Sequence, residues 1–392
     1  MASRFDRTLA LVMLLLSAGE LLLLHWALLA SRGAGLPAWL WPFALAAIGA
    51  VNRVVFPRAR RRIHATGLAL ILCRTWILGS VAALLTGLLL AVVFVVFGGG
   101  GWLFDAHVAA RTATIWIGGA AVAIGFGSVL WGASVGSHRV RVDPVSLPLR
   151  NASPDIRKLR IAHVSDLHIG PLLRPPRLRN YVRRINELEP DLVVITGDIF
   201  DFDPGYVEDG CRELAALRSR FGVFAVLGNH DVYTGAEIVA EGIARHTPIR
   251  LLRNEWVELD VDGSPLALAG LEDPGVGWSE RASEHAALER LAAEIPDGLP
   301  SVLLAHRPGY FARAAQLGFP VILSGHTHGG QVAVPLAHHH NPSRLISHWT
   351  RGVFVRGAST LYVNRGLGMA GLPLRINCPR EIALLRLGEE AI

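Results

Sequence analysis

Residues 160–168 read Arg-Ile-Ala-His-Val-Ser-Asp-Leu-His, and residues 192–201 read Leu-Val-Val-Ile-Thr-Gly-Asp-Ile-Phe-Asp. In both, a short apolar run rich in β-branched residues stops at a carboxylate, which predicts a buried strand with an acidic group on the loop that leaves it. The pattern recurs at 223–231 (Val-Phe-Ala-Val-Leu-Gly-Asn-His-Asp), at 302–307 (Val-Leu-Leu-Ala-His-Arg) and at 321–330 (Val-Ile-Leu-Ser-Gly-His-Thr-His-Gly-Gly). Between the first two runs Leu178, Val182, Ile185 and Leu188 share one helical face, and a second helix is expected within 207–219. Further strands are expected at 266–270, 352–356, 361–364 and 381–387. Strands alternating with helices predict an α/β or α+β layered fold, with its site at the carboxyl ends of the strands.

Asp, His and Asn are side chains that hold borderline divalent cations, and mixed nitrogen and oxygen donors suit manganese, iron or zinc better than calcium. One histidine after a strand is usually a structural residue. Five clusters in fixed order, Asp166/His168, Asp198/Asp201, Asn229/His230/Asp231, His306/Arg307 and His326/His328, point instead to a shared metal site.

Together these motifs resemble the calcineurin-like metallophosphoesterase family, over about residues 155–392. The resemblance implies a four-layer α/β domain, two packed β-sheets flanked by helices, with two divalent metal ions at the sheet edge. Manganese is the favoured metal, with iron, zinc or magnesium as alternatives. It implies that Asp166, His168 and His328 hold the first ion, that Asp198 bridges both, and that Asn229, His306 and His326 complete the second. Two such ions can activate a water and stabilise charge on phosphorus as hydroxide attacks in line. The resemblance makes His230 the proton donor to the leaving oxygen and Asp201 the group that orients it. Asp231 is expected to cap its loop and His163 to lie in the core, while His338–His340 and His348 are expected on a solvated loop. Arg307, Arg365 and Arg375 are candidates to meet a phosphate. The motifs of the tail, 361–381, are similar to those of a bacterial branch carrying amino-terminal membrane segments.

The first 140 residues have a different character. Stretches 8–29, 36–52, 75–97 and 112–135 are each apolar and near the length needed to cross a bilayer, about 17–25 residues. Arg4 and Arg7, then six arginines between the second and third stretches, then Arg139, Arg141 and Arg150 lie on one side, with only Arg32 and Arg111 on the other. By the positive-inside rule this predicts a multi-pass protein of the cell membrane with both termini and the catalytic domain in the cytoplasm. Arg4 and Arg7 before an apolar run could also mark a leader, but no cleavage site is visible and three further stretches follow. Glu20 and His25 should face another helix, and Gly119, Ala123 and Gly127 are expected to form a packing stripe. Residues 141–158, with Pro144, Pro148 and Pro154, read as a linker to a domain at 159–392.

The net charge of +6 sits largely in arginines beside apolar stretches, which suits a lipid bilayer better than nucleic acid. Cys73, Cys211 and Cys378 form no CxxC pair, so neither a disulfide framework nor a zinc knuckle is indicated. The function expected is membrane-anchored hydrolysis of a phosphodiester, phosphomonoester or pyrophosphate bond, on a substrate that the membrane half suggests is lipid-linked. A nuclease or cyclic nucleotide phosphodiesterase, or a non-catalytic metal-sensing scaffold or transporter, are the alternatives.

Overall fold

The computed structural model describes residues 4–61, 68–104, 106–149, 151–275, 285–333, 344 and 347–388. The His338–His340 tract and Arg150 lie outside the described residues. The chain divides into two units, residues 1–135 with 371–374, and residues 136–370 with 375–392.

The first unit is helical: α1 (Arg4–Arg32), α2 (Trp41–Arg61), α3 (Leu68–Val93), α4 (Gly99–Leu103) and α5 (His107–Ser134), with a π-turn at Phe94–Gly98 carrying α3 into α4. Among the described residues four helical segments, Ala10–Arg32, Ala38–Val55, Arg74–Gly101 and His107–His138, are long and apolar enough to cross a membrane. Glu20 meets another helix as expected, because the Asn52 amide on α2 donates to its carboxylate at 2.8 Å and to Ser17 at 3.1 Å. The packing stripe on α5 differs from the one expected. Ala123 and Gly127 are exposed and Gly119 is half-buried, whereas Gly118, Ala121, Gly125 and Gly132 are buried, with Trp26 against Gly118 and Thr86 against Gly125. Both sets obey helical spacing, so the sequence alone does not say which face meets a neighbour.

Among the described residues the second unit holds twelve strands. β1 (Val140–Pro148), β2 (Ile161–Val164), β3 (Leu192–Thr196), β4 (Val223–Val226), β5 (Arg250–Leu251) and β12 (Arg380–Gly388) form one sheet in the order β1-β12-β2-β3-β4-β5. β6 (Glu255–Val261), β7 (Ser264–Leu271), β8 (Ser301–Ala305), β9 (Val321–Ser324), β10 (Gly352–Arg356) and β11 (Ser359–Val363) form the other, in the order β10-β11-β9-β8-β7-β6. The helices are α6 (Pro154–Lys158), α7 (Pro175–Asn186), α8 (Val207–Leu214), α9 (Asn229–His246), α10 (Ala286–Glu294) and α11 (Phe311–Gln316).

Side-chain alternation along β3 explains the layering. Val193 and Ile195 join Leu178, Val182 and Leu214 in a core beneath α7 and α8, whereas Leu192 and Val194 join Leu268, Leu304 and Leu323 in a core between the sheets. A third core, with Leu303 and Ile322, packs under α10 and α11. Strands buried on both faces must be apolar throughout, which is why 192–196 reads as a continuous run. Truncating a side chain such as Leu304 to alanine would cost about 2–5 kcal/mol.

Residues 141–158, expected as a linker, are instead mostly ordered structure. β1 pairs in parallel with β12 over Val140–Pro148, and α6 follows with the Ser153 hydroxyl accepting from the Ile156 N–H at its start. Pro144 and Pro148 fit because β1 is the edge of its sheet, where a missing N–H breaks no ladder.

Candidate metal centre

β2, β3 and β4 run parallel, as do β7, β8 and β9, so their carboxyl ends deliver Asp166, Asp198, Asn229, His306 and His326 to neighbouring loops. Those loops bond to each other: the Asp166 N–H donates to the Gly197 carbonyl (3.0 Å), His168 N–H to Asp198 (2.9 Å) and Gly325 N–H to His306 (3.0 Å). Asp166, His168, Asp198, His326 and His328 all sit at positive φ, between 47° and 72°. A non-glycine residue there is strained by about 1–2 kcal/mol, so the loops that receive the strands' polar side chains carry backbone strain at five positions. Gly197, at φ 81°, is required, since a Cβ would press within 2.9 Å of the Gly228 backbone and the His306 ring.

The side chains converge. Ligand-type atoms of Asp166, His168 and His328 lie within 4.8 Å of one another, as do those of His168, Asp198 and His230, and those of Asp198, His306 and His326. Asp198 thus belongs to two groups: its Oδ2 is 3.2 Å from His306 Nε2 and 3.6 Å from His168 Nε2. His168 and His328 aim Nε2 atoms at each other across 2.9 Å, and His326 Nδ1 is 3.1 Å from His306 Nε2. The Thr196 carbonyl accepts from His306 Nδ1 at 2.8 Å, which fixes the tautomer that leaves Nε2 free to bind a cation.

Asn229 provides the test of whether these residues fit a metal. It is only 1% exposed, and neither its amide oxygen nor its nitrogen has a hydrogen-bond partner among the described residues. A buried polar group left unpaired costs about 1–3 kcal/mol, a cost that a cation bound to the amide oxygen would remove. The donors fit.

The electrostatics separate the histidines: His306 holds a proton that a cation would have to displace, while His326 and His328 are neutral. Burial disfavours charge on His306, but the carboxylates of Asp198, Asp166 and Asp273 outweigh it and push its pKa up to about 10. Burial, reinforced by the positive charge of His306 on one and His168 on the other, drives His326 and His328 well below the usual histidine range. They are therefore neutral imidazoles, the form that ligates metals. Burial raises Asp198, yet His306 and His230 hold it well below the ordinary carboxylate range. Negative charge kept inside a buried pocket calls for positive charge beside it.

The structure thus gathers Asp166, His168, Asp198, His230, His306, His326 and His328, with Asp201 joined to His230 at 2.9 Å and the buried Asn229 next to His230 in the chain. Asp231 caps as expected, accepting from the Gly228, Ile199 and Phe200 N–H groups. His163 is core, fully buried against Thr196. The three candidate phosphate arginines do not reach outward. Arg307 is buried in an ion pair with Asp273, Arg365 joins Asp143 to Glu381, and Arg375 donates to the carbonyls of Arg365, Gly366, Gly368 and Cys378. Sequence reasoning missed Asp273 and the Thr196 carbonyl, because neither carries a local motif.

The family model described as calcineurin-like phosphoesterase matches residues 159–330. Among curated proteins the chain is 31% identical over 255 residues to a bovine "Transmembrane protein with metallophosphoesterase domain", covering 63% of this chain and 56% of that protein. It is 32% identical over 236 residues to an uncharacterized metallophosphoesterase of Campylobacter jejuni, covering 60% of each. It is 32% identical over 231 residues to the uncharacterized metallophosphoesterase YkuE of Bacillus subtilis, covering 58% of this chain and 78% of that protein. The chain therefore spans little more than half the length of the first two relatives. Two six-stranded sheets flanked by helices, the convergent aspartates and histidines, and these matches lead to one conclusion: the chain belongs to the calcineurin-like metallophosphoesterase family.

Proposed function

We propose that this chain is a membrane-anchored, metal-dependent phosphoester hydrolase. Asp166, His168 and His328 would hold one divalent cation and Asn229, His306 and His326 a second, with Asp198 within reach of both. The carrying observation is that Asp198 faces both groups of histidines, while the Asn229 amide, next to His230 in the chain, is buried and has no hydrogen-bond partner among the described residues. When bound, the cations, manganese by preference, supply Lewis acidity toward a water and the phosphoryl oxygens.

The remaining work falls to the side chains. Asp201 would be raised by burial, but hydrogen bonds from His168 and His230 outweigh that and hold its carboxyl below the usual range. It therefore stays ionised and fixes the His230 ring through Nδ1, leaving Nε2 to give a proton to the departing ester oxygen. The His230 N–H donates to Asp198 at 2.8 Å, so the proton donor and the bridging carboxylate keep one register.

The four apolar helices support a multi-pass membrane protein, and the arginine distribution supports a cytoplasmic catalytic domain. A lipid-linked phosphoester is the substrate class that this anchoring favours. The test is hydrolysis of a chromogenic phosphodiester by the full chain in detergent with manganese added. Activity that chelator abolishes, and that Asp198→Ala removes, supports the reading; an unaltered rate in Asp198→Ala overturns it.

A further inference from the structure

We propose that Phe202 and Tyr233 form an apolar subsite that receives the leaving group of the substrate, so that the enzyme selects phosphoesters whose departing alcohol carries an alkyl or aryl body. This rests on the phosphoesterase reading above.

Three observations carry it. First, the two rings lie nearly parallel, 11° apart with centroids at 5.7 Å, and both border His230, Phe202 at 4.6 Å and Tyr233 at 5.6 Å. Second, they are open where the rest of the site is closed. Phe202 is 45% and Tyr233 40% exposed, and neither belongs to a hydrophobic core, whereas His168 and Asp198 are buried. Large apolar side chains left bare beside a buried polar cluster suit ligand binding. Third, Phe202 is held at φ 56°, a region that bulky residues avoid, directly after the aspartate that orients His230. Strain of this kind persists where function requires the side chain to point in one direction.

Direction follows from the chemistry. His230 delivers its proton to the oxygen of the departing alcohol, so the carbon body attached to that oxygen must lie on the His230 side. There it meets the two rings and loses apolar surface to them. Ring contacts and buried methylenes of this size are worth about a factor of 10 in selectivity.

The experiment compares methyl, butyl and 2-phenylethyl esters, each a diester sharing a constant methyl group, with the full chain in detergent and manganese. In parallel, calorimetry measures binding of the corresponding methyl-, butyl- and 2-phenylethylphosphonates. All three leaving oxygens are primary alkoxides, so differences report the carbon body. The expected kcat/KM rises about 10-fold from methyl to the larger esters, the phosphonate affinities follow, and both ratios fall toward 1 in Phe202→Ala/Tyr233→Ala. Phe202→Leu and Tyr233→Phe should keep most of the preference. A preference for butyl equal to 2-phenylethyl identifies an alkyl-lined substrate such as a lipid, and a preference for 2-phenylethyl alone identifies an aromatic one. Equal rates and affinities across the series overturn the subsite while leaving the hydrolase intact. Selective phosphonate binding without turnover of any ester overturns the hydrolase reading while leaving the subsite. Loss of preference with a lowered melting temperature in the double variant, but retention in both conservative variants, still supports the subsite.

Discussion

His230 Nδ1 lies 2.9 Å from Asp201 Oδ1, and that same oxygen lies 3.5 Å from Nδ1 of His168. One carboxylate therefore hydrogen-bonds the proposed proton donor and lies within ion-pair reach of a proposed metal ligand. His230→Ala should lower kcat by about 10²–10⁴ on an alkyl ester, which needs protonation of its leaving oxygen. The loss should be much smaller on a nitrophenyl ester, whose phenolate leaves unaided. Asp201→Asn should cost about 10–100-fold on the alkyl ester and should also weaken metal binding, because His168 loses its orientation too. Equal losses on both esters in His230→Ala would remove the proton-donor role.

Asn229 gives a prediction of opposite sign with and without metal. Its amide is buried and unpaired among the described residues, so the metal-free protein carries a desolvation cost of about 1–3 kcal/mol. Asn229→Ala should leave the chelator-treated protein as stable as the parent or up to about 1 kcal/mol more stable. The rise in melting temperature on adding manganese should shrink, since one ligand is gone. A variant that is less stable without metal and unchanged in its response to metal would make Asn229 structural. The readout is thermal melting across a manganese titration.

Gly368 lies where the returning chain crosses the loop after β2, its N–H donating to the Asp166 carbonyl at 2.7 Å. A Cβ there would overlap the backbone carbonyls of Leu167 and Asp166, and backbone cannot rotate away as a side chain can. Gly368→Ala should therefore cost about 1–3 kcal/mol and displace Asp166. Elemental analysis should show reduced metal occupancy, whereas an exposed control such as Gly263→Ala, with open space at its Cβ, should keep full occupancy.

The strand ends and their polar residues were legible because each feature is local: an apolar run, a glycine and a ligand-type side chain within ten residues. The β1 strand was not legible, because its prolines are tolerated only through its edge position, and edge position depends on β12 some 240 residues later. The arginines failed for the same reason. Arg307 follows a ligand in sequence, but its partner Asp273 arrives from β7, and no spacing rule links the two. On α5 the helical period was correct and the face was one residue off: Trp26 lies against both glycines, but so close to Gly118 that a Cβ there would overlap it, whereas Gly119 leaves room for ordinary contact.

His163 sets an acid limit on stability. It is fully buried in β2, within 2.8 Å of the Thr196 hydroxyl, and burial pushes its pKa down from 6.5 to about 3. Between those values the unfolded chain binds a proton that the folded chain does not. Stability therefore rises with pH across that window, and falls as pH drops from 6.5 toward 3, with a slope approaching about 1.4 kcal/mol per pH unit. His163→Gln lacks this proton, so the gap between parent and variant should change in the variant's favour as pH falls from 7 to 5. Melting curves in chelator, run side by side, check it; parallel curves would mean that His163 titrates normally in the fold.

Arg307 and Asp273 form a buried ion pair next to His306, with Nε 2.5 Å from Oδ2 and the second nitrogen 3.0 Å from Oδ1. The Arg307 side chain is 2% exposed and the Asp273 side chain 1%, so neither charge can turn to water if the other is removed. Arg307→Met alone should then cost about 3–5 kcal/mol, as should Asp273→Leu alone. The double variant Arg307→Met/Asp273→Leu removes both charges together and should recover most of that stability, because a paired buried ion is offset by its desolvation. Asp273 also helps raise the His306 pKa, so the double variant should bind its cations more readily at low pH, where protonation of His306 competes with the metal. A double-mutant cycle in denaturant gives the coupling energy, and a manganese titration at pH 6 and 8 gives the second effect. Additive single losses would show that the two charges do not stabilise each other, and an unchanged pH dependence of manganese binding would show that His306 owes its state to Asp198 and Asp166.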